Sequence, residues 1–245
     1  MVRAGRSDLG VRAVATKSTD TDMVTEFDRA SEQLIVGGIL SARPHDTIVG
    51  EEGTDTVGTS GVSWCIDPID GTTNFLYGLP GYAVSIAAAV DGVTRAGAVY
   101  VPSNDELFTA VLGAGARLDG RPISCSTTTD LHRALVATGF AYSPERRAEQ
   151  AGRVARLLPR IRDIRRLGAA APDLCNLAAG RVDAYFEEGL GAWDFAAGAL
   201  IASESGCLVG GIAGGEPSPA GVLAASPAVF PQLRAALLEI DAEGR

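Results

Sequence analysis

From Tyr82 to Leu118 the apolar residues fall into three short blocks, "YAVSIAAAV", "VTRAGAVYV" and "ELFTAVLG", and Asp91-Gly92 joins the first two. Asp-Gly between two apolar runs of strand length is a hairpin signal, because both turn positions need positive φ. This block commits the first half of the chain to antiparallel β structure. The period then changes. "ALVATG", "IRDIRRL", "VDAYFE" and "GVLAAS" read as strands, and residues 145–158, 169–179, 193–205 and 227–238 read as helices set among them. Pro172 fits only the first turn of its helix. Upstream of the meander, Val24, Phe27, Leu34, Ile35 and Ile39 recur at helical steps, which predicts a helix over 22–42 that Pro44 stops. "TIVG" and "VSWCI" read as short buried strands. Antiparallel β followed by alternating α and β predicts a layered α/β fold of stacked sheets and helices. With no Pro/Gly/Ser linker, residues 1–245 are expected to form one domain with two lobes, about 1–130 and about 131–245.

A chain of 245 residues, 46% hydrophobic and 21% charged, can enclose a large core. Its formal net charge of −9 argues against nucleic acid or an anionic membrane as the main partner, since both call for a basic patch. No apolar run approaches the roughly 20 residues of a membrane span. The start, "MVRAGRSDLGVRAVATK", is basic without an apolar stretch, so no secretory signal is expected and the reading is cytoplasmic. Cys65, Cys125, Cys175 and Cys207 lie far apart, without a C-x-x-C pair, and are expected to be buried reduced thiols. His45 and His132 keep no zinc spacing to them.

Acidic residues follow apolar runs in three places. "IVGEEG" sets Glu51 and Glu52 after a strand, "WCIDPIDGTTNF" sets Asp67 and Asp70 after another, and "GAWDFAAG" sets Asp194 near a helix start. Taken singly, these are a solvated loop, a turn and an N-cap. Taken together, they are a carboxylate cluster that repels itself unless cations fill it. Hard oxygen ligands without His or Cys favour Mg²⁺ or Mn²⁺. Pro68 pushes Asp67 toward extended backbone, so that Asp67 ends its strand and Asp70 opens the turn, with the Ile69 carbonyl between them. The run "DGTT" begins a helix whose free N–H groups, unobstructed at Gly71, suit an oxyanion. Carboxylates for metal beside amides for phosphate describe a metal-dependent phosphoryl-transfer site.

These segments resemble the inositol monophosphatase family, most of all its bacterial branch. The family pattern is G-E-E after a strand, W-x-x-D-P-[IL]-D-G-T-x-N-F, and a late W-D-x-A-A-G; this chain has "GEEG" (50–53), "WCIDPIDGTTNF" (64–75) and "WDFAAG" (193–198). "KSTDTDMVTEFD" (17–28), "GYAVSIA" (81–87) and "RRLGAAAPDLCNLAAGRVDAYFEEG" (165–189) extend the likeness from Lys17 to about Ser226. The resemblance implies the αβαβα sandwich shared with fructose-1,6-bisphosphatase, a homodimer, sensitivity to lithium, and two or three Mg²⁺ ions, with Mn²⁺ as a substitute. It implies that Glu51, Asp67, the Ile69 carbonyl, Asp70 and Asp194 hold metal. Glu51 and Thr72 would activate the attacking water, with Asp70 in the catalytic set, and the Gly71 and Thr72 amides would grip phosphate. Ala170, Glu187, Asp70 and Asp194 would meet the substrate. Lys17 would sit on a closing loop and Asp28 would brace Thr72.

The chain departs from the family in three places. Residues 1–16, with Gly5, Asp8 and Gly10, make a poor helix where the family has one; Ala169 stands where Ser or Thr is common; and Pro172 replaces an aliphatic residue. The implied reaction is hydrolysis of inositol 1-phosphate or a related polyol monophosphate. Alternatives on the same fold are histidinol phosphate, fructose 1,6-bisphosphate and 3′-phosphoadenosine 5′-phosphate; a regulatory binding protein is the alternative outside catalysis. A haloacid-dehalogenase-type phosphatase needs D-x-D, whereas this chain has D-x-x-D with proline inside. No P-loop and no complete G-x-G-x-x-G are present.

Overall fold

The computed structural model describes residues 15–16 and 23–243. Lys17 and the poor-helix segment before Ala15 therefore lie outside the described residues. A two-residue ladder, β1 (Ala15–Thr16) with β2 (Met23–Val24), leads into helix α1 (Glu26–Ala42). Thr25 caps α1 in a reciprocal capping box with Asp28, so the helix starts later than the apolar spacing predicts. The first large sheet runs in sequence order through β3 (Thr47–Gly50), β4 (Val62–Asp70), β5 (Ala83–Val90), β6 (Val93–Val101), β7 (Glu106–Val111), β8 (Ala116–Leu118) and β9 (Arg121–Pro122). Only β3 and β4 pair in parallel. Asp91 and Gly92 both take positive φ, 50° and 78°, as the hairpin between β5 and β6 requires. A short helix, α2 (Thr72–Tyr77), follows β4 directly.

The second sheet has the order β11 (Asp163–Arg165), β10 (Leu135–Thr138), β12 (Ala184–Glu187), β14 (Val222–Ala225), β13 (Leu208–Gly210). Helices α3 (Pro144–Leu157), α4 (Ala170–Ala178), α5 (Ala192–Glu204) and α6 (Val229–Glu243) sit close to the predicted ranges. "IRDIRRL" supplies only a three-residue strand, and β9 and β13 are too short to read from periodicity.

Three apolar interfaces stack these pieces. One joins α4 and α5 to β5 through β8, with Ala87, Val99, Phe108, Cys175, Ala197 and Ile201 buried. A second joins the opposite faces of α4 and α5 to the second sheet through Leu174, Leu177, Tyr185 and Ala202. A third covers that sheet's far side with α3 and α6 through Leu157, Phe186, Leu233 and Leu237. Helices α1 and α2 pack on the outer face of the first sheet, where Ile69, Phe75 and Tyr82 are buried against Phe27. The result is an αβαβα sandwich, in which α4 and α5 are apolar all round because both faces meet a sheet.

The apolar spacing in α1 misidentifies its inner face. Leu34 is 64% exposed, whereas Asp28, Ser31 and Glu32 are buried. The helix turns a polar face inward because it braces the loops that follow β3 and β4. The four cysteines are free; Cys175 and Cys207 are buried and Cys65 and Cys125 half-buried, so full burial holds for two. Among the described residues, no helix is long and apolar enough to cross a membrane.

Candidate active site

Strand β4 does not stop at Asp67. It continues to Asp70 with a shift of register against β5 between the two aspartates. Pro68 sits in this irregularity, where a missing ladder N–H costs little. On a regular strand, side chains three apart point to opposite faces. The shift breaks that alternation, and one carboxylate oxygen each from Asp67, Asp70 and Asp194 comes within 4.8 Å of the others. Asp67 Oδ1 also accepts the Ile69 N–H at 3.0 Å, which fixes the turn locally.

Gly71 then takes φ 86° and starts α2 with no side-chain cap. A Cβ there would stand 2.9 Å from Ala169 Cβ and 3.1 Å from the Gly81 carbonyl, so only glycine fits. The buried Thr72 hydroxyl donates to Asp28 Oδ1 at 3.0 Å and lies 3.1 Å from the Ile69 carbonyl. Asp28 in turn accepts from the Thr25 N–H at 2.8 Å.

Glu51 follows β3, beside β4, with its N–H donating to the Ile66 carbonyl at 3.1 Å. A residue that sequence reasoning missed holds this loop. Glu32, fully buried on α1, accepts from the N–H groups of Glu52 (2.9 Å) and Thr54 (3.1 Å). Its spacing of four from Asp28 puts both acids on one helix face, which was the available signal. Ser31, on the same face, donates to the Pro68 carbonyl at 3.2 Å.

Asp194 enters from the first turn of α5, where its Oδ2 accepts the Gly191 N–H at 2.6 Å. Asp70 Oδ2 accepts the Ala171 N–H at 2.6 Å, tying β4 to the start of α4 beside Ala170. Ala169 is the N-cap of α4 and makes no side-chain cap bond, as the missing hydroxyl implies. Burial raises the carboxyl groups of Asp67 and Asp70 well above the ordinary carboxylate range, and the neighbouring acids raise them further. Burial, then Glu51, pushes Asp194 up to about 7.

Across the cavity, Glu187 ends β12. Burial pushes it up to about 7, and the Tyr185 hydroxyl donates to its Oε2 at 2.8 Å. Its carboxylate occupies the space over Gly139, where a Cβ would stand 2.0 Å from Oε1. Asp173 is buried beneath this wall, its Oδ1 has no hydrogen-bond partner among the described residues, and burial raises it well above the carboxylate range. The cavity measures about 510 Å³, and Glu51, Asp67, Ile69, Asp70, Gly71, Thr72, Ala170, Glu187 and Asp194 all line it. So, without having been singled out from the sequence, do Trp193, Arg146 and Arg166. Trp193 stands beside Asp194 in the "WDFAAG" motif, which was the available signal, whereas Arg146 and Arg166 come from segments that no local pattern marks.

Two buried carboxylates and a half-buried third this close, with desolvation and mutual repulsion favouring the neutral form, fit a divalent cation. The donor set is all oxygen, as Mg²⁺ or Mn²⁺ prefers.

An αβαβα sandwich with acids gathered where two sheets and a buried helix pair meet defines a metal-binding class of α/β proteins. Residues 1–241 match the model of the inositol monophosphatase family. The chain is 47% identical over 248 residues to inositol-1-monophosphatase of Mycobacterium leprae, covering 94% of this chain and 84% of that one. It is 44% identical over 203 residues to Nus factor SuhB of Escherichia coli, covering 82% and 76%. Its fold matches the crystal structure of extragenic suppressor protein suhB from Bartonella henselae with a TM-score of 0.88 at 35% identity, over 96% of this chain and 90% of that one. The chain belongs to the inositol monophosphatase family.

Proposed function

We propose that this chain is a divalent-metal-dependent phosphomonoesterase acting on inositol 1-phosphate or a related polyol monophosphate. The observation that carries this reading is the convergence of Asp67, Asp70 and Asp194 within 4.8 Å, facing a cavity whose opposite wall ends in Glu187. In this reading Glu51, Asp67, the Ile69 carbonyl, Asp70 and Asp194 hold two or three Mg²⁺ ions. When bound, those ions supply the positive charge that the phosphate and the departing alkoxide need, and they acidify water.

The chain's own groups do the rest. Thr72 spends its proton on Asp28, which leaves its oxygen lone pairs free to accept a hydrogen bond from water. That bond orients the water, and Glu51 takes its second proton as general base. The Gly71 and Thr72 N–H groups, uncapped by any side chain, receive the phosphate oxygens. Glu187 accepts hydrogen bonds from polyol hydroxyls, and Ala170 packs beside them. Tyr185 keeps the Glu187 carboxylate aimed into the cavity. The reading includes a homodimer, which light scattering checks.

The test is phosphate release at saturating Mg²⁺, with and without millimolar Li⁺. The panel is inositol 1-phosphate, histidinol phosphate, fructose 1,6-bisphosphate and 3′-phosphoadenosine 5′-phosphate. Lithium-sensitive release from inositol 1-phosphate above the others supports the proposal. Preference for another ester moves the substrate and keeps the metal site. No release from any, in a folded sample, overturns the proposal and leaves the regulatory binding protein as the reading; the E. coli relative is named a Nus factor.

A further inference from the structure

The proposed reaction uses none of the four cysteines, and two of these are neighbours in space. Cys65 and Cys175 sit where α4 and α5 meet the first sheet. Burial raises both thiols, and Asp194 and Asp55 act next on Cys65, Asp70 and Arg181 on Cys175. Cys125 and Cys207 share the other interface, where the second sheet packs on the same helices. Cys125 lies on the stretch that carries the chain from the first sheet to the second, between β9 and β10. Cys207 lies between the end of α5 and β13.

Both backbones are pinned. The Cys125 N–H donates to the Ser205 carbonyl at 3.0 Å, and the Cys207 N–H to the Ala202 carbonyl at 3.1 Å. Ser126 and Thr128, just beyond Cys125, donate their hydroxyls to Asp183 Oδ1 at 2.6 and 2.7 Å. Gly206 takes φ 96°, and a Cβ there would lie 3.8 Å from Cys125 Sγ. The Cys125 sulfur is therefore seated on the residue that precedes Cys207. Burial raises the Cys207 thiol above the ordinary thiol range, and the adjacent Cys125 thiol raises it further. A disulfide needs Cα atoms within about 7 Å and sulfurs that face each other. A backbone bond from one cysteine to the residue two before the other, with its sulfur on the glycine between, is that approach.

We propose that Cys125 and Cys207 are a modification site, a thiol pair that a small disulfide such as oxidised glutathione converts to an intramolecular disulfide. The bond staples the crossing between the two sheets to the end of α5. Cys125 is half-buried and Cys207 buried, so Cys125 meets the reagent. Its thiolate attacks one sulfur of oxidised glutathione, the S–S bond breaks, and one glutathione leaves from the mixed disulfide. The Cys207 thiol then loses its proton and attacks Cys125 Sγ, which releases the second glutathione. Two protein thiols are oxidised, one glutathione disulfide is reduced to two thiols, and those thiols take up the two protons. In the unfolded chain the bridge closes a loop of about 80 residues, which restricts that state and stabilises the folded one. The bridge lies past the C-terminal end of α5, about 16 Å along the helix from Asp194, so it leaves the acid cluster alone.

The test is to incubate the reduced full chain with excess oxidised glutathione, quench with N-ethylmaleimide, and read intact mass and a non-reducing peptide map. Closure should remove two maleimide labels and join the peptides that carry Cys125 and Cys207, and dithiothreitol should restore both labels. Cys207→Ser should stop at a single glutathione adduct on Cys125. Cys125→Ser should take up no glutathione at Cys207, because that thiol is buried. The oxidised wild type should melt about 4–10 °C above the reduced protein, a difference absent from both variants. Glutathione adducts on wild-type Cys125 without closure, a cross-link through Cys65 or Cys175, or four labels after oxidation each overturn the proposal. So does an oxidised protein that melts no higher than the reduced one, because the staple then stabilises nothing. None of these readouts needs turnover, so this proposal and the phosphatase reading stand or fall separately.

Discussion

At the scale of single residues, the site is a set of groups held against their own preference. Asp194 is pushed up to about 7 by burial and by Glu51, and Gly71 holds a backbone that no other residue reaches cheaply. Asp194→Asn should remove one acid from the cluster proposed to hold metal. We expect phosphate release to fall at least about a hundredfold, the cost of losing a charged ligand at about 2.7 kcal/mol. The same variant should be more stable than wild type at pH 8 without metal, because a buried charge is gone. Thermal melts in EDTA check the second outcome, and a destabilised variant there contradicts the account of the acids as mutually repelling. Gly71→Ala places a methyl 2.9 Å from Ala169 Cβ in a left-handed backbone. A loss of about 1–3 kcal/mol follows from the strain, together with loss of activity, and urea titration with an activity assay measures both. Asp67, Asp70 and Gly71 were legible because the chemistry and the turn lie within five residues. Arg146 and Arg166 were not, since nothing nearby in the chain marks a cation as part of a cavity, and the burial of Asp173 was no more visible.

At the scale of elements, the two ends of the site are held differently. Helix α4 begins at Ala169, in an extended backbone (φ −153°, ψ 127°) suited to an N-cap but with no oxygen to cap with. Ala169→Ser should supply that acceptor and stabilise the protein by about 1 kcal/mol, seen as a higher urea midpoint with an unchanged slope. On α1, Glu32 accepts the Glu52 and Thr54 N–H groups that shape the Glu51 loop. Glu32→Gln turns an amide donor toward one of those donors. A loss of about 1–3 kcal/mol is expected, with kcat falling more than KM rises, because the loop carries the proposed base and not a substrate contact. An unchanged kcat contradicts this role for Glu32. Most elements were readable from period alone. The inner face of α1 was not, because polar residues with remote partners replace the apolar stripe that periodicity seeks.

At the scale of the whole molecule, net charge and the acid cluster act together. Asp67, Asp70 and Asp194 have folded-state values raised above those of an unfolded chain. The folded state therefore holds protons that the unfolded state has released. This stabilises below the unfolded value, near 4, and the contribution is lost as pH rises toward the folded value, about 7 for Asp194. Metal-free protein should lose stability steadily from about pH 4 to above pH 7, with Tm falling by more than about 4 °C, the shift expected for a loss of 1–2 kcal/mol in a domain of this size. Mg²⁺ should restore it above pH 7 in proportion to the logarithm of its concentration, since the ion binds the folded state alone. Melts across pH in EDTA and in Mg²⁺ test both; a Tm in EDTA that does not fall across this range contradicts the expectation.

The sequence by itself determined the antiparallel first half, the alternating second half and the identity of the acids, because turn chemistry and hydrophobic period act within a few residues. It also carried the family, through "WCIDPIDGTTNF" and "WDFAAG". Only the tertiary structure decided how the acids meet. The irregularity between Asp67 and Asp70 depends on β5 as a pairing partner, and Asp194 arrives on a helix more than a hundred residues later. The polar face of α1, the exposure of Leu34 and the cationic wall of the cavity are likewise settled by which surfaces pack together, a matter of contacts between distant segments that no local rule encodes.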